Sequence, residues 1–138
     1  MQVRDSVIVV PLDMSDFSLT ALATAAGLAS DYANIRVLHV LPELARPASG
    51  DRLGQCSSAM SAFLQQRGYA KPDITVRTGE PIKQILHFAK DVDAGLIIMP
   101  SHGRGMLTEM LLGSTAYSVV RHSTCPVLVL KPTKQKEA

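Results

Sequence analysis

The chain lacks most of what marks a specialised protein class. It has no tryptophan and only three tyrosines and three phenylalanines among 138 residues, so the interior must be built from Val, Ile, Leu, Ala and Met. Its two cysteines, Cys56 and Cys125, stand far apart and form neither a C-x-x-C pair nor a metal-ligand spacing. No secretory leader is read at the N-terminus, and a reducing cytoplasm suits the cysteines better than a disulfide. No apolar run approaches the roughly 18–20 residues needed to cross a bilayer. An excess of one charge is missing too. Fourteen Lys and Arg against twelve Asp and Glu give a formal charge of +2, too small to argue for nucleic acid or an anionic membrane as partner. Lys131, Lys134 and Lys136 read as a solvated terminus. The expectation is one soluble, cytoplasmic domain over 1–138, its last few residues a tail.

Familiar catalytic and phosphate motifs are absent as well. No G-x-x-x-x-G-K-[ST] occurs, and no G-x-G-x-x-G follows the first apolar run, which excludes a P-loop NTPase and argues against a dinucleotide-binding domain. No Ser/His/Asp or Cys/His arrangement has the pattern of a hydrolase.

What is present is an alternation of strands and helices. Ser6 to Val10 is a β-branched run ended by Pro11, as in a strand buried on both faces. Ser15 stands where an N-cap belongs, and Leu19, Leu22, Ala23 and Ala26 follow at helical spacing. Ile35 to Leu41 is a second strand stopped by Pro42, and the stretch to Gly50 is a loop. Cys56, Met60, Phe63 and Leu64 mark a second helix with Gly68 as its stop. Ile74 to Arg77 is a third strand closed by Gly79. Pro81 opens a third helix with Ile82, Ile85, Leu86 and Ala89 on one face. Leu96 to Met99, Ser114 to about His122, and Val127 to Leu130 complete the series as strand, helix and strand. This βαβαβαβαβ order predicts a five-stranded, mostly parallel open sheet of order 3-2-1-4-5, with helices on both faces in a Rossmann-like α/β fold.

That topology makes a site prediction. Ligands of open parallel sheets bind outside the carboxyl ends of the strands, where the strand order reverses. Here the reversal falls between strands one and four, which end in Pro11-Leu12-Asp13 and Met99-Pro100-Ser101-His102-Gly103. Asp13 reads either as a ligand carboxylate or as a charge favouring the start of the first helix. Ser114 and Thr115 read either as helix caps or as phosphate contacts at a helix N-terminus. Arg104 is a phosphate partner or a solvated loop residue. His102 and His39 have no second ligand at metal spacing and read as ordinary surface or core histidines.

The residues resemble the universal stress protein family along essentially the whole chain. The likeness lies in Val9-Val10-Pro11-Leu12-Asp13-Met14-Ser15-Asp16, Val37-Leu38-His39-Val40, Gly79-Glu80-Pro81, Gly113-Ser114 and Cys125 to Leu130. The family's nucleotide signature is G-x2-G-x9-G-[ST]. Gly103, nine residues, Gly113 and Ser114 match it, while Pro100 replaces the first glycine.

The resemblance implies binding of ATP or a related adenine nucleotide in the stress response, with Mg²⁺ on the phosphate oxygens. Pro11, Asp13 and Val40 would line the adenine and ribose end and Met99 would pack near the nucleoside, with Leu12, Pro100, His102 and Arg104 also among the nucleotide-binding residues. Gly103, Gly113, Ser114 and Thr115 would surround the phosphates. Proline has no N–H, so a donor supplied by the family glycine is lost at Pro100. The competing expectation is therefore a nucleotide-free interaction module of the same fold. Hydrolysis or autophosphorylation at Ser114 or Thr115 is expected to be slow at most, since Asp13 is the one evident carboxylate. Val127 to Leu130, short and apolar at the sheet edge, is expected to pair with a second copy.

Overall fold

A computed structural model of the chain describes residues 5–42, 51–69, 73–101 and 112–131. Five strands form one sheet: β1 (Val7–Pro11), β2 (Ile35–Leu41), β3 (Asp73–Thr78), β4 (Ala94–Pro100) and β5 (Val127–Leu130). Four helices join them: α1 (Leu19–Leu28), α2 (Arg52–Gln66), α3 (Pro81–Asp91) and α4 (Ser114–His122). The sheet order is β3-β2-β1-β4-β5. All four pairings are parallel, so the fold is an all-parallel version of the expected sheet.

Strand alternation divides the interior into two layers. Ile8, Val10, Ile35, Val37, Leu96 and Ile98 face one way and pack with Leu22 and Ala25 of α1 and Met60 and Leu64 of α2. The intervening Val9, Leu38, Ile97 and Met99 face the other way and meet Ile85, Phe88 and Ala89 of α3 and Ala116 and Val119 of α4. Central strands buried on both sides need continuous apolar runs, which is why β1 and β4 read without alternation in the sequence. Cys56 lies on α2, and Cys125 packs into the α3/α4 layer. Both are free thiols.

Several local expectations are corrected. Ser15 stands one turn ahead of α1 rather than at its start. The helix begins at Leu19 with Ser18 as N-cap and no side-chain cap bond from Ser18, while the Ser15 hydroxyl oxygen accepts from the Ser18 N–H at 3.2 Å, three residues on. The Ser15 N–H and hydroxyl in turn donate to the Asp13 carboxylate at 3.0 and 2.6 Å, closing a turn ahead of the helix. The buried stripe of α1 is Ala21, Leu22 and Ala25, while Ala23 and Ala26 are exposed. Alanines on every side of that helix blur its periodicity. On α3 the buried set is Ile85, Phe88 and Ala89, with Ile82 and Leu86 only half-buried. Phe88 was not among the expected core residues. The loop predicted from Pro42 to Gly50 lies outside the described residues beyond Pro42.

Candidate functional site

The sheet opens where its order reverses. β1 pairs with β2 up to Pro11↔Leu38, but with β4 only up to Val9↔Ile97. β4 meanwhile runs on beside β5 to Pro100↔Leu130. Past Val9 and Ile97 the two central strands separate, and a cavity of about 210 Å³ occupies the gap. Its walls are Pro11, Leu12 and Asp13 after β1, Leu38, His39 and Val40 of β2, Met99 and Pro100 of β4, Ile85 of α3, and Gly113, Ser114, Thr115 and Ala116 at the start of α4.

Nine residues singled out from the sequence therefore line one cavity: Pro11, Leu12, Asp13, Val40, Met99, Pro100, Gly113, Ser114 and Thr115. His102, Gly103 and Arg104 lie outside the described residues. Leu38, His39, Ile85 and Ala116 were missed as wall residues. Ile85 and Ala116 belong to amphipathic stripes that read simply as core. Leu38 and His39 could have been found from the topology, because the end of β2 abuts the end of β1.

Local chemistry sets the shape of each wall. Leu12 is tethered to β2, its N–H donating to the Leu38 carbonyl at 2.9 Å. The loop then turns sharply through Met14, which sits at φ 65 in the left-handed region where a side chain is crowded. Asp13 accepts both hydrogen bonds from Ser15 across this turn. On the opposite side, the Ser101 N–H donates to Leu130 at 2.8 Å, and the Gly113 N–H donates to the Ser101 carbonyl at 2.6 Å. That last bond brings the start of α4 back to the end of β4.

The first turn of α4 offers donors. Its N-cap is Gly113, which has no side chain to fold back, and no acidic residue stands in the turn. Such a helix start presents backbone N–H groups and the positive end of the dipole. Ser114 stands just inside the helix and makes no side-chain cap bond, so the reading of it as the cap is corrected.

Pro100 has a definite orientation as well. Ile97 and Ser101 send their N–H groups toward β5, to Pro126 and Leu130. By the two-residue period of a strand, position 100 directs its backbone nitrogen toward the β1 side. Pairing with β1 has already stopped there, so proline costs the sheet no ladder bond. The missing N–H falls on the cavity side.

A profile of the universal stress protein family matches residues 6–131. The chain belongs to the universal stress protein family. Universal stress protein MJ0531 of Methanocaldococcus jannaschii is 32% identical over 142 residues, spanning 94% of this chain and 84% of that protein. The solved structure of MJ0577, from the same organism, has a TM-score of 0.73 at 26% identity, over 93% of this chain and 96% of that one. A universal stress protein from Archaeoglobus fulgidus solved in complex with dAMP has a TM-score of 0.63 at 25% identity, over 91% of this chain and 98% of that chain.

In this universal stress protein domain no group of three or more His, Cys, Asp or Glu suited to a metal ion occurs among the described residues. No helix among them is long and apolar enough to cross a membrane.

Proposed function

We propose that this universal stress protein binds ATP or a related adenine nucleotide as a regulatory or sensing ligand in the stress response. The observation that carries the reading is one cavity, at the β1/β4 split, with apolar walls at one side and the uncapped start of α4 at the other. Pro11, Val40, Ile85 and Met99 suit a flat base, and the Val40 backbone offers groups to its edge. Asp13 suits sugar hydroxyls, which a carboxylate accepts from. Ser114 and Thr115 suit phosphate oxygens through backbone N–H groups, the helix dipole and hydroxyls, and Gly113, whose own N–H is held by the Ser101 carbonyl, adds no side chain to obstruct them. The relative solved with dAMP supports an adenylate as the chemical class. A Mg²⁺ accompanying a triphosphate is assigned to phosphate oxygens and water, because the described cavity wall supplies a single carboxylate, Asp13.

Calorimetric titration with ATP, ADP and AMP tests the proposal, together with mass spectrometry of small molecules released from freshly purified protein. Saturable heat, or co-purified adenylate, is the expected result. Absence of both at millimolar nucleotide overturns it. Hydrolysis is not part of the proposal, since Asp13 is assigned to the sugar and the described cavity wall holds no second carboxylate, while the His39 ring is engaged through Nδ1 with the Leu12 carbonyl. Phosphate release is expected at the buffer background.

Pro100 favours a second reading, a nucleotide-free interaction module. A single neutral hydrogen bond is worth about 1 kcal/mol, or several-fold in affinity, so its loss at Pro100 weakens an adenylate without excluding it. The dimer belongs to both readings. β5 is an edge strand, and Leu128 is about a third exposed (36%), an arrangement that pairing with β5 of a second copy would cover. Sedimentation equilibrium decides this point, with a dimer expected and a monomer at micromolar concentration against it.

A further inference from the structure

His39 makes a contact that the sheet alone does not require. Its Nδ1 lies 2.6 Å from the Leu12 carbonyl oxygen, across from β2 to the segment leaving β1. A carbonyl only accepts, so Nδ1 carries the hydrogen and donates, and in the neutral ring the acceptor nitrogen is Nε2. The last register pair between the two strands is Pro11↔Leu38. One residue further on, an imidazole replaces the ladder.

Leu12 is consequently held at both of its polar groups by consecutive residues of β2. Leu38 takes its N–H through the backbone at 2.9 Å, and His39 grips its carbonyl through the ring. Asp13 is attached to that carbonyl carbon by the next peptide bond. Beyond it Met14 adopts the left-handed conformation, and the Ser15 N–H and hydroxyl hold the Asp13 carboxylate from the far side. Asp13 thus stands at the cavity wall with a local anchor in its own turn and another on the preceding residue, Leu12. In that second anchor His39 holds the carbonyl joined directly to the Asp13 nitrogen.

We propose that His39 is a positioning residue of the cavity: by gripping the Leu12 carbonyl it sets where Asp13 stands, and so how Asp13 meets the sugar hydroxyls of a bound adenylate. The ligand half of this statement rests on the nucleotide reading above. The anchoring half does not. A histidine that served only as filler between strand and loop would leave Asp13 indifferent to the loss of one ring nitrogen.

Three variants separate these roles. His39→Leu keeps bulk and removes the donor, His39→Asn returns a donor near the place of Nδ1, and Asp13→Asn removes the carboxylate. In the ligand-free protein, amide hydrogen exchange at Asp13 and Ser15 is expected to rise at least tenfold in His39→Leu and to return toward the parent rate in His39→Asn. Val9 and Val10, inside β1, serve as the unchanged control. With AMP as the probe, His39→Leu is expected to weaken binding about tenfold, yet to cost little more once Asp13→Asn is present, because residues acting through one another are not additive. Unchanged exchange at Asp13 and Ser15 in His39→Leu overturns the proposal whether or not any nucleotide binds. Equal affinity losses with and without the Asp13 carboxylate overturn it also. If the parent protein binds none of ATP, ADP and AMP and carries no co-purified adenylate, the nucleotide reading fails by itself, and the exchange rates still decide whether His39 anchors Asp13.

Discussion

The two helices that wall the cavity from the same face of the sheet begin in opposite ways. At α3 the chain supplies its own anion. The two Glu80 carboxylate oxygens accept from the Ile82 and Lys83 N–H groups at 3.1 and 2.9 Å, and Pro81 occupies the first position, where no donor is needed. Gly79, at φ 137, gives the turn that aims Glu80 back at the helix, and a Cβ there would also press on the Gln84 side chain at 2.9 Å. At α4 the corresponding cap is Gly113, with no side chain, and the donors of the first turn are left to the cavity. α2 resembles α3 in this respect, since Asp51 accepts from Gly54. The contrast teaches how to separate a helix start that is finished from one that is left open. The same backbone chemistry occurs at both, and only a local carboxylate distinguishes them.

Four substitutions break or sharpen that contrast. The largest effect is expected at Ile85, which reaches the cavity from α3 and is almost fully buried. Ile85→Ala should lower unfolding free energy by about 2–5 kcal/mol in urea titrations and open the apolar end of the cavity. Ser114→Asp gives α4 the kind of charge that α3 already has. It should strengthen the helix by about 0.3–1 kcal/mol. The same change should weaken AMP binding roughly tenfold or more, because a fixed anion then competes for the helix start. An unchanged affinity in calorimetry would remove α4 from the proposed phosphate contacts. Glu80→Ala performs the reverse operation on α3. A loss of about 1 kcal/mol in stability is expected, with nucleotide affinity unaltered. The smallest effect is expected at Pro100→Gly, which restores an N–H on the cavity side. Affinity for ATP should rise several-fold, about 1 kcal/mol. Weaker binding by this variant would show that the proline ring itself is a favourable wall.

The sequence was legible where physics is local and repetitive. β1 and β4 announce themselves as unbroken apolar runs, Pro81 and Gly68 mark helix ends, and the count of alternating elements leads to a parallel sheet whose reversal point locates the cavity. It was illegible where two distant segments share one task. Nothing near position 39 signals that His39 bonds to Leu12, because that contact exists only once β1 and β2 lie side by side. Ser15 misled for a related reason. It has the residue type of a helix cap and its hydroxyl oxygen does accept from the Ser18 N–H, but the chain makes a further turn before the helix starts at Leu19. The α1 stripe was misplaced because alanine suits both an exposed helical surface and close approach to a sheet. At Pro100 the residue was plain from the start, whereas the direction of its missing donor needed the register of β4 against β5.

The two-layer interior has one more consequence, carried by the pair of free thiols. Cys56 sits on a helix of the α1/α2 layer, and Cys125 packs into the α3/α4 layer, with the whole sheet between them. Burial pushes the Cys56 thiol up from its ordinary value, against a smaller opposing influence of Arg52, so less of it is the reactive thiolate at neutral pH. Each sulfur is therefore a built-in reporter for its own side of the molecule. Alkylation followed peptide by peptide would time the loosening of each layer separately in the unmodified protein. A nucleotide seated against α3 and α4 should slow the clock at Cys125 and leave the one at Cys56 running.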